Sequence, residues 1–117
     1  GALERLWVCS SQLELLESLG ARAPAAHLVH STRRRSIRVP LERHAAELDA
    51  LGFAVLNMHH TEWTAGLVGL FHRFGVLAFA WDVQEVRHLR AMLAMGVDAV
   101  YSDHVDRMVT TVAEWTR

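Results

Sequence analysis

The stretch FGVLAFAWDVQEVRHLRAMLAMGVDAVYSDH, residues 74–104, decides the fold of this 117-residue chain. Residues 76–83 form a near-continuous apolar run, which is typical of a strand covered on both faces. Residues 84–95 place apolar side chains at helical spacing, and Gly96 then ends the helix because glycine adopts the left-handed cap without strain. Residues 97–102 form a second, mainly apolar strand. The stretch therefore predicts one βαβ unit with parallel strands.

The same pattern recurs in the rest of the chain. The segments ALGFAVLN, RFGVLAFAW and AMGVDAVYS each run from a helix end through a glycine into an apolar strand with a polar tip. The other predicted strands are 6–11, 25–30 and 53–59, and the other predicted helices are 12–19 (ended by Gly20), 40–51, 65–74 and 105–115. Five strands alternating with helices imply a parallel sheet with right-handed crossovers.

These short repeats favour an α/β fold in which five βα units form part of a TIM-type barrel. A nucleotide-binding doubly wound sheet is disfavoured, because the sequence has no glycine-rich phosphate loop of either common kind. A complete barrel has eight units and needs about 200 residues or more, so five units fall short.

Composition limits the classes of function. The chain is 51% hydrophobic and 21% charged, which predicts a globular protein. Its net charge of −1 gives no electrostatic reason to expect nucleic acid or an anionic membrane as a partner. No apolar run reaches the roughly 18 residues of a membrane span. The single cysteine, Cys9, is predicted to pack in the core, which suits a reducing compartment such as the cytoplasm.

Polar side chains gather where the predicted strands end, at the edge where parallel α/β folds bind ligands. Trp81 is expected to line a pocket there, with a core aromatic as the alternative. Asn57 interrupts an apolar strand and needs a partner when buried, so it is either pocket wall or a structural hydrogen bond. Asp103 either points toward the same edge or binds loop amides.

The histidines His59 and His60, with Glu62, raise a metal hypothesis. Adjacent residues of a strand point to opposite faces, so both histidines are not expected to share one ion. A third ligand from another strand, such as His30 or Asp103, would be required. We therefore assign no metal ligand and expect His59 to line the pocket.

A basic segment follows the second predicted strand. It contains Arg33, Arg34, Arg35 and Arg38. Such a cluster either holds a phosphate or is a solvated loop, and the solvated loop is the favoured interpretation. Four histidines within strand or helix bodies are assigned no chemistry, namely His27, His44, His72 and His88.

The chain resembles the glycerophosphodiester phosphodiesterase family from that family's fourth strand to its C-terminus. The motif v-W-T-V-N of the seventh strand corresponds to AWDVQ (80–84), and G-V-D-G-I-I-T-D-Y-P-D of the eighth to GVDAVYSDHVD (96–106). The sixth-strand motif of the family is g-I-N followed by L-T-P-E-L-V, and it corresponds to AVLN (54–57) and TAGLV (64–68). The fourth-strand motif S-S-F corresponds to Ser10 and Ser11.

This resemblance implies that residues 1–117 are the C-terminal portion of a single barrel domain. The implied reaction is hydrolysis of glycerophosphodiesters, or related lysophospholipids, to an alcohol and glycerol 3-phosphate in lipid metabolism, with calcium or magnesium as cofactor. The family's His-Arg pair, Glu-x-Asp, second histidine and Glu-x-Lys precede the fourth strand. We therefore expect no catalytic residue and no cation ligand in this chain, and a substrate-binding wall of Trp81, Asn57, His59 and Asp103.

Two other functions remain open. A barrel remnant without catalysis would serve as a binding or oligomerisation module, and another phosphate-handling enzyme would share the late strands by fold alone. In each case the open sheet edges must be covered, either by the missing N-terminal part of the barrel or by a second copy in a homo-oligomer.

Overall fold

The computed structural model describes residues 6–23 and 25–116, and these form five strand–helix units. The predicted domain also includes residues 1–5, 24 and 117, which lie outside the described residues. The elements are β1 (Trp7–Ser10), α1 (Leu13–Arg22), β2 (His27–Ser31), α2 (Leu41–Ala50), β3 (Val55–His59), α3 (Ala65–Arg73), β4 (Leu77–Trp81), α4 (Val86–Met95), β5 (Ala99–Val100) and α5 (Val105–Trp115). Short 3-10 turns at Arg34–Ser36 and His60–Glu62 follow β2 and β3.

The five strands are all parallel and lie in chain order, β1-β2-β3-β4-β5. A doubly wound sheet reverses its strand order, whereas a barrel adds each strand beside the previous one. The predicted fold class, part of a TIM-type barrel, is therefore confirmed.

The sheet is curved so that its two edges approach each other. Cys9 on β1 and Tyr101, directly after β5, bring Sγ and Oη to 3.9 Å. In a flat sheet these edge strands would be four spacings, roughly 19 Å, apart. The five strands therefore form an arc with a concave face.

The convex face of the arc carries the helices and the main core. Alternate residues of β2, β3 and β4 point to this side, and they pack against apolar residues of all five helices. The strand members are Leu28, Leu56, Met58, Ala78 and Ala80, and the helix members include Leu16, Leu48, Phe71, Leu89 and Met108. Complete burial of Phe71 alone contributes about 2–3 kcal/mol to stability.

The concave face is aromatic and partly exposed. Trp7 lies 5.9 Å from Phe79, and Phe79 lies 6.2 Å from Tyr101, measured between ring centroids. Trp7 and Tyr101 each keep 44% of their surface exposed. Such a face is typical of a surface that other residues cover in the complete fold.

Two sequence predictions about residues of β1 and α1 were wrong. Cys9 is exposed and does not belong to the core, because strand alternation places it on the concave face with Trp7. Gly20 does not end α1, which continues to Arg22. A Cβ at position 20 would lie 2.9 Å from Leu28 Cδ1, so this glycine instead permits close approach of α1 to the sheet.

The histidines His30 and His44 form a buried pair between β2 and α2. His30 Nδ1 lies 3.3 Å from His44 Nε2, and His30 Nε2 lies 3.3 Å from the carbonyl oxygen of Ser11. Burial lowers the pKa of His30 to about 4 and also lowers the pKa of His44. Both imidazoles are therefore neutral at pH 7, and His30 contacts helix α2 on the convex side.

This pair predicts acid sensitivity. The unfolded chain binds protons at His30 near pH 6.5 and the folded chain only near pH 4, so the free energy of unfolding falls as the pH drops through that window. The His30 contribution corresponds to a loss of about 3 kcal/mol by pH 4. Urea unfolding between pH 7 and pH 4.5 measures this loss, and the His30→Gln variant should show a shallower pH dependence.

The exposed His104 provides the matched control for this experiment. His104→Gln should retain the pH dependence of the unmodified chain. An equally steep loss of stability in the His30→Gln variant would contradict the assignment.

Candidate ligand site at the carboxyl edge of the sheet

The carboxyl ends of β3 and β4 place three of the predicted site residues together. His59 and Trp81 are register partners at the last positions of these strands, and their rings meet edge to face with centroids 4.7 Å apart. Asn57 lies two residues before His59 and shares its face, between Ser31 and Phe79 in register. The three side chains therefore line one end of the concave face.

Asn57 and Trp81 each leave a buried polar atom unpaired. Asn57 is 5% exposed, and its Nδ2 donates to Ser31 Oγ at 3.0 Å, while Oδ1 has no partner. Trp81 Nε1 is also buried without an acceptor. Leaving such a group unsatisfied costs about 1–3 kcal/mol, so native structures pair it with protein, water or ligand. The edge thus offers an acceptor and a donor that the described residues do not use.

Arg33 brings positive charge to this edge. Its guanidinium carbon lies 5.5 Å from the centroid of the Trp81 ring, and its Nε donates to Glu62. Glu62 also accepts from the backbone N–H of Arg34. Arg33 is therefore held beside Trp81 instead of extending into solvent, whereas Glu62, considered above as a metal ligand, is occupied by the arginine segment.

Asp82 continues the site past the end of β4. Among the described residues it is the only non-glycine residue with a positive φ, which is 62°. Aspartate tolerates this left-handed conformation better than most residues. His59 Nε2 lies 3.0 Å from Asp82 Oδ2, and this hydrogen bond is the main reason why the pKa of Asp82 is lowered.

His60 also belongs to the site, contrary to the expectation from strand alternation. The chain leaves β3 after His59 and enters a 3-10 turn at His60, so the two rings lie on the same side with centroids 4.5 Å apart. The ligand atoms of His59, His60 and Asp82 all lie within 4.8 Å of one another. The third partner is thus Asp82, and not His30, which is buried on the convex side.

His88 was assigned no chemistry, but it contacts this group. Its ring stacks on His60 with centroids 4.5 Å apart. Burial, followed by the proximity of His59 and His88, lowers the pKa of His60. His60 is therefore a neutral imidazole at pH 7.

Asp103 takes part in a network centred on Gln84, which the sequence did not single out as a site residue. Gln84 Oε1 accepts from the Asp103 backbone N–H at 3.0 Å, and Gln84 Nε2 donates to Asp103 Oδ2 at 3.1 Å and to Asp82 Oδ1 at 3.3 Å. This network joins the ends of β4 and β5. It favours a structural role for Asp103, although its carboxylate accepts from the side-chain amide of Gln84 and not from a loop amide as expected. The sequence signals for Gln84 were its place at a polar strand tip and its position at the end of the AWDVQ motif.

The one group of three histidine, cysteine or acidic side chains found close together among the described residues does not suit calcium or magnesium. Both ions prefer several oxygen ligands, whereas the group His59, His60 and Asp82 offers two imidazole nitrogens and one carboxylate. The expectation that ligands for such a cation lie outside this chain remains a prediction.

Of three comparisons with known proteins, only the search of solved structures finds similar proteins. A scan against protein-family models finds no match, and a search of curated proteins finds no relative. Among solved structures, a phosphodiesterase from Oleispira antarctica in complex with the product sn-glycerol-3-phosphate has a TM-score of 0.80 at 18% identity, over 92% of this chain and 42% of that chain. A glycerophosphodiester phosphodiesterase from Parabacteroides distasonis has a TM-score of 0.79 at 18% identity, over 98% and 46%.

These similarities establish the fold. The chain spans 42% and 46% of the lengths of these two phosphodiesterases, and it has the fold of a part of them. The resemblance seen in the sequence motifs is thus confirmed at the level of fold. No helix among residues 6–23 and 25–116 is long and apolar enough to cross a membrane.

The His59–Asp82 hydrogen bond predicts a change in the pKa of Asp82. Replacement His59→Ala removes the largest cause of the lowered value, so the pKa of Asp82 should rise toward its ordinary range. Titration of the carboxyl carbon by NMR measures it. His72→Ala is the matched control, because His72 pairs with Asp98 at 2.7 Å elsewhere on the surface. An unchanged pKa of Asp82 in the His59→Ala variant would show that the bond does not form in solution.

Proposed function

We propose that residues 1–117 are the C-terminal portion of a single barrel domain that hydrolyses glycerophosphodiesters or related lysophospholipids to an alcohol and glycerol 3-phosphate. The observation that carries this proposal is the likeness of 92–98% of the chain to phosphodiesterases, one of them bound to sn-glycerol-3-phosphate. Its support in the sequence is the ordered set of motifs at the strand ends.

The side chains at the carboxyl edge suit one wall of such a pocket. Trp81 offers an apolar ring face for the glycerol carbons. In this proposal a small shift of the neighbouring side chains lets the buried, unpaired Asn57 Oδ1 accept a glycerol hydroxyl. Arg33 supplies positive charge for a phosphate oxygen or an anionic headgroup. His59 and Asp103 complete the proposed substrate-binding set, His59 by direct contact and Asp103 by fixing the loop after β5 through its carboxylate, which accepts from Gln84 Nε2.

The reaction itself needs groups beyond this wall. Cleavage of a phosphodiester requires an in-line nucleophile, positive charge on the non-bridging oxygens and an acid for the leaving oxygen. A divalent cation, when bound, supplies that positive charge. In the proposal, the strands that precede β1 provide the cation ligands and the proton-transfer residues, while this chain binds and orients the glycerol phosphate.

The aromatic concave face is consistent with a barrel in which preceding strands supply the catalytic groups and this chain binds the substrate. Preceding strands would cover Trp7, Phe79 and Tyr101 as the interior of a closed barrel. A non-catalytic module would need the same cover, so this face alone does not favour hydrolysis over binding. The cytoplasmic location remains a prediction, and its premise of a buried cysteine is not met because Cys9 is exposed.

The proposed wall predicts a local response to product. In ¹H–¹⁵N NMR, millimolar sn-glycerol 3-phosphate should shift the indole N–H of Trp81 and the side-chain amide of Asn57, because both lie at the carboxyl edge. The indole N–H of Trp63 is an internal control, since it is buried and donates to the carbonyl oxygen of Phe79 at 2.8 Å. Trp81→Phe should weaken binding several-fold, and the exposed Trp115→Phe should not.

Two results would count against this proposal. Shifts confined to residues outside the carboxyl edge would contradict the assignment of the wall. Binding at the edge, together with no hydrolysis of a glycerophosphodiester panel by the complete gene product, would favour the binding module over the enzyme.

A further inference from the structure

We propose that His59, His60 and Asp82 form a binding site for a divalent transition-metal ion of the zinc type. The inference does not depend on the hydrolase proposed above, and it differs from the calcium or magnesium cofactor, which would be bound by residues outside this chain. It rests on the donor chemistry and geometry of three residues that the turn after β3 and the end of β4 bring together.

The three donors are already close to a coordination geometry. Their ligand atoms lie within 4.8 Å of one another, and His59 Nε2 lies 3.0 Å from Asp82 Oδ2. In a tetrahedral zinc site, ligands at about 2.0–2.2 Å from the ion are separated by roughly 3.4 Å. Small side-chain rotations are therefore sufficient to admit an ion.

The donor set selects the class of ion. Imidazole nitrogen suits zinc, copper, iron and nickel, whereas calcium and magnesium prefer oxygen. Two imidazoles and one carboxylate occur in catalytic zinc sites and in non-haem iron sites. Three protein ligands leave at least one coordination position for water or another small ligand.

Neighbouring residues orient the ligands. Thr61 Oγ1 lies 2.7 Å from His59 Nδ1, and Gln84 Nε2 donates to Asp82 Oδ1 at 3.3 Å. Without an ion, His59 Nδ1 accepts from the backbone N–H of Thr61 at 3.3 Å, so the proton of neutral His59 lies on Nε2 and is donated to Asp82 Oδ2. Binding of an ion at Nε2 requires the tautomer with the proton on Nδ1, next to Thr61 Oγ1, and it leaves Asp82 Oδ2 free to bind the ion. Outer-sphere hydrogen bonds of this kind are typical of metal-binding histidines and carboxylates.

Charged groups of both signs lie near the site, because Arg33 is held beside Trp81, whose ring contacts His59, and Glu85 pairs with Arg87. Asp82 and Glu85 place negative charge near His60. The stacked His88 ring restricts the orientation of His60.

The chain also contains a matched pair that lacks the third donor. His72 Nε2 lies 2.7 Å from Asp98 Oδ2, yet within the described part of the chain the only group of three suitable donors is His59, His60 and Asp82. His72 and Asp98 therefore test whether a histidine–aspartate pair alone is sufficient for binding.

The experiment is a titration of the metal-free chain with Co²⁺, followed by displacement with Zn²⁺. All variants carry Cys9→Ser, because Cys9 is an exposed thiol and a competing zinc ligand. We expect one equivalent of Co²⁺ to produce the visible d–d absorption of a site with nitrogen and oxygen ligands, and Zn²⁺ to abolish it. Ca²⁺ and Mg²⁺ at the same concentration should not compete.

The variants locate the site. His60→Ala and Asp82→Asn should each weaken Co²⁺ and Zn²⁺ binding at least tenfold, and His72→Ala should leave it unchanged. Circular dichroism confirms that each variant is folded, and the Asp82 position is exposed enough that its substitution leaves the core intact.

Three outcomes would overturn the proposal. These are the absence of saturable Co²⁺ binding, undiminished binding in folded His60→Ala and Asp82→Asn variants, and equal weakening by His72→Ala. The glycerol 3-phosphate titration is carried out on metal-free protein, so failure of the metal site and failure of the proposed function are distinguishable.

Discussion

Parallel strands are stable when both faces of the sheet are covered, and this constraint organises the whole chain. Five helices cover one face through a continuous core that includes Leu56, Phe71 and Leu89. The other face is concave and carries Trp7, Phe79 and Tyr101, which remain partly exposed. The curvature that brings Cys9 to Tyr101 is the geometry of a barrel segment, and it directs the ends of all five strands toward one mouth.

The chemistry at this mouth follows from strand register. His59 and Trp81 are partners at the last position of β3 and β4, so the residues directly after them begin close to each other. Asp82 reaches the site through a left-handed backbone conformation, and His60 reaches it through a 3-10 turn. These two local backbone conformations bring three potential metal ligands together. They lie beside the pocket wall, where buried polar atoms of Asn57 and Trp81 remain unpaired.

Much of the fold could be predicted from the sequence, because local periodicity and glycine caps mark each βα unit. Gly96 ends α4 with φ 88°, as its position predicted. The exposure of Cys9 could not be predicted, because a strand in the middle of a barrel and a strand at an open edge have the same apolar pattern. Cys9 lies on β1, which is an edge strand of this sheet. Gly20 was misassigned because a glycine that permits helix–strand contact resembles a helix terminator.

The site was less predictable than the fold. Polar residues at strand ends identified Trp81, Asn57 and His59, since the carboxyl edge of a parallel sheet is a general binding position. The grouping of His60 with His59 depends on where β3 stops, and a shift of one residue in that boundary reverses the side to which His60 points. The partnership of Gln84 with Asp103 is a tertiary contact between two loops, and no local pattern encodes it.

The curvature of the sheet is the central claim, and a cross-linking experiment tests it directly. Cys9 is the only cysteine in the chain, so Tyr101→Cys creates a single pair across the concave face. A short bis-maleimide should join these two thiols within one molecule, and it should fail to join Cys9 to a cysteine introduced by Val109→Cys, on exposed α5 behind the sheet. If Cys9 and Tyr101→Cys instead carry one reagent molecule each, the edges are far apart and the sheet is not a barrel segment.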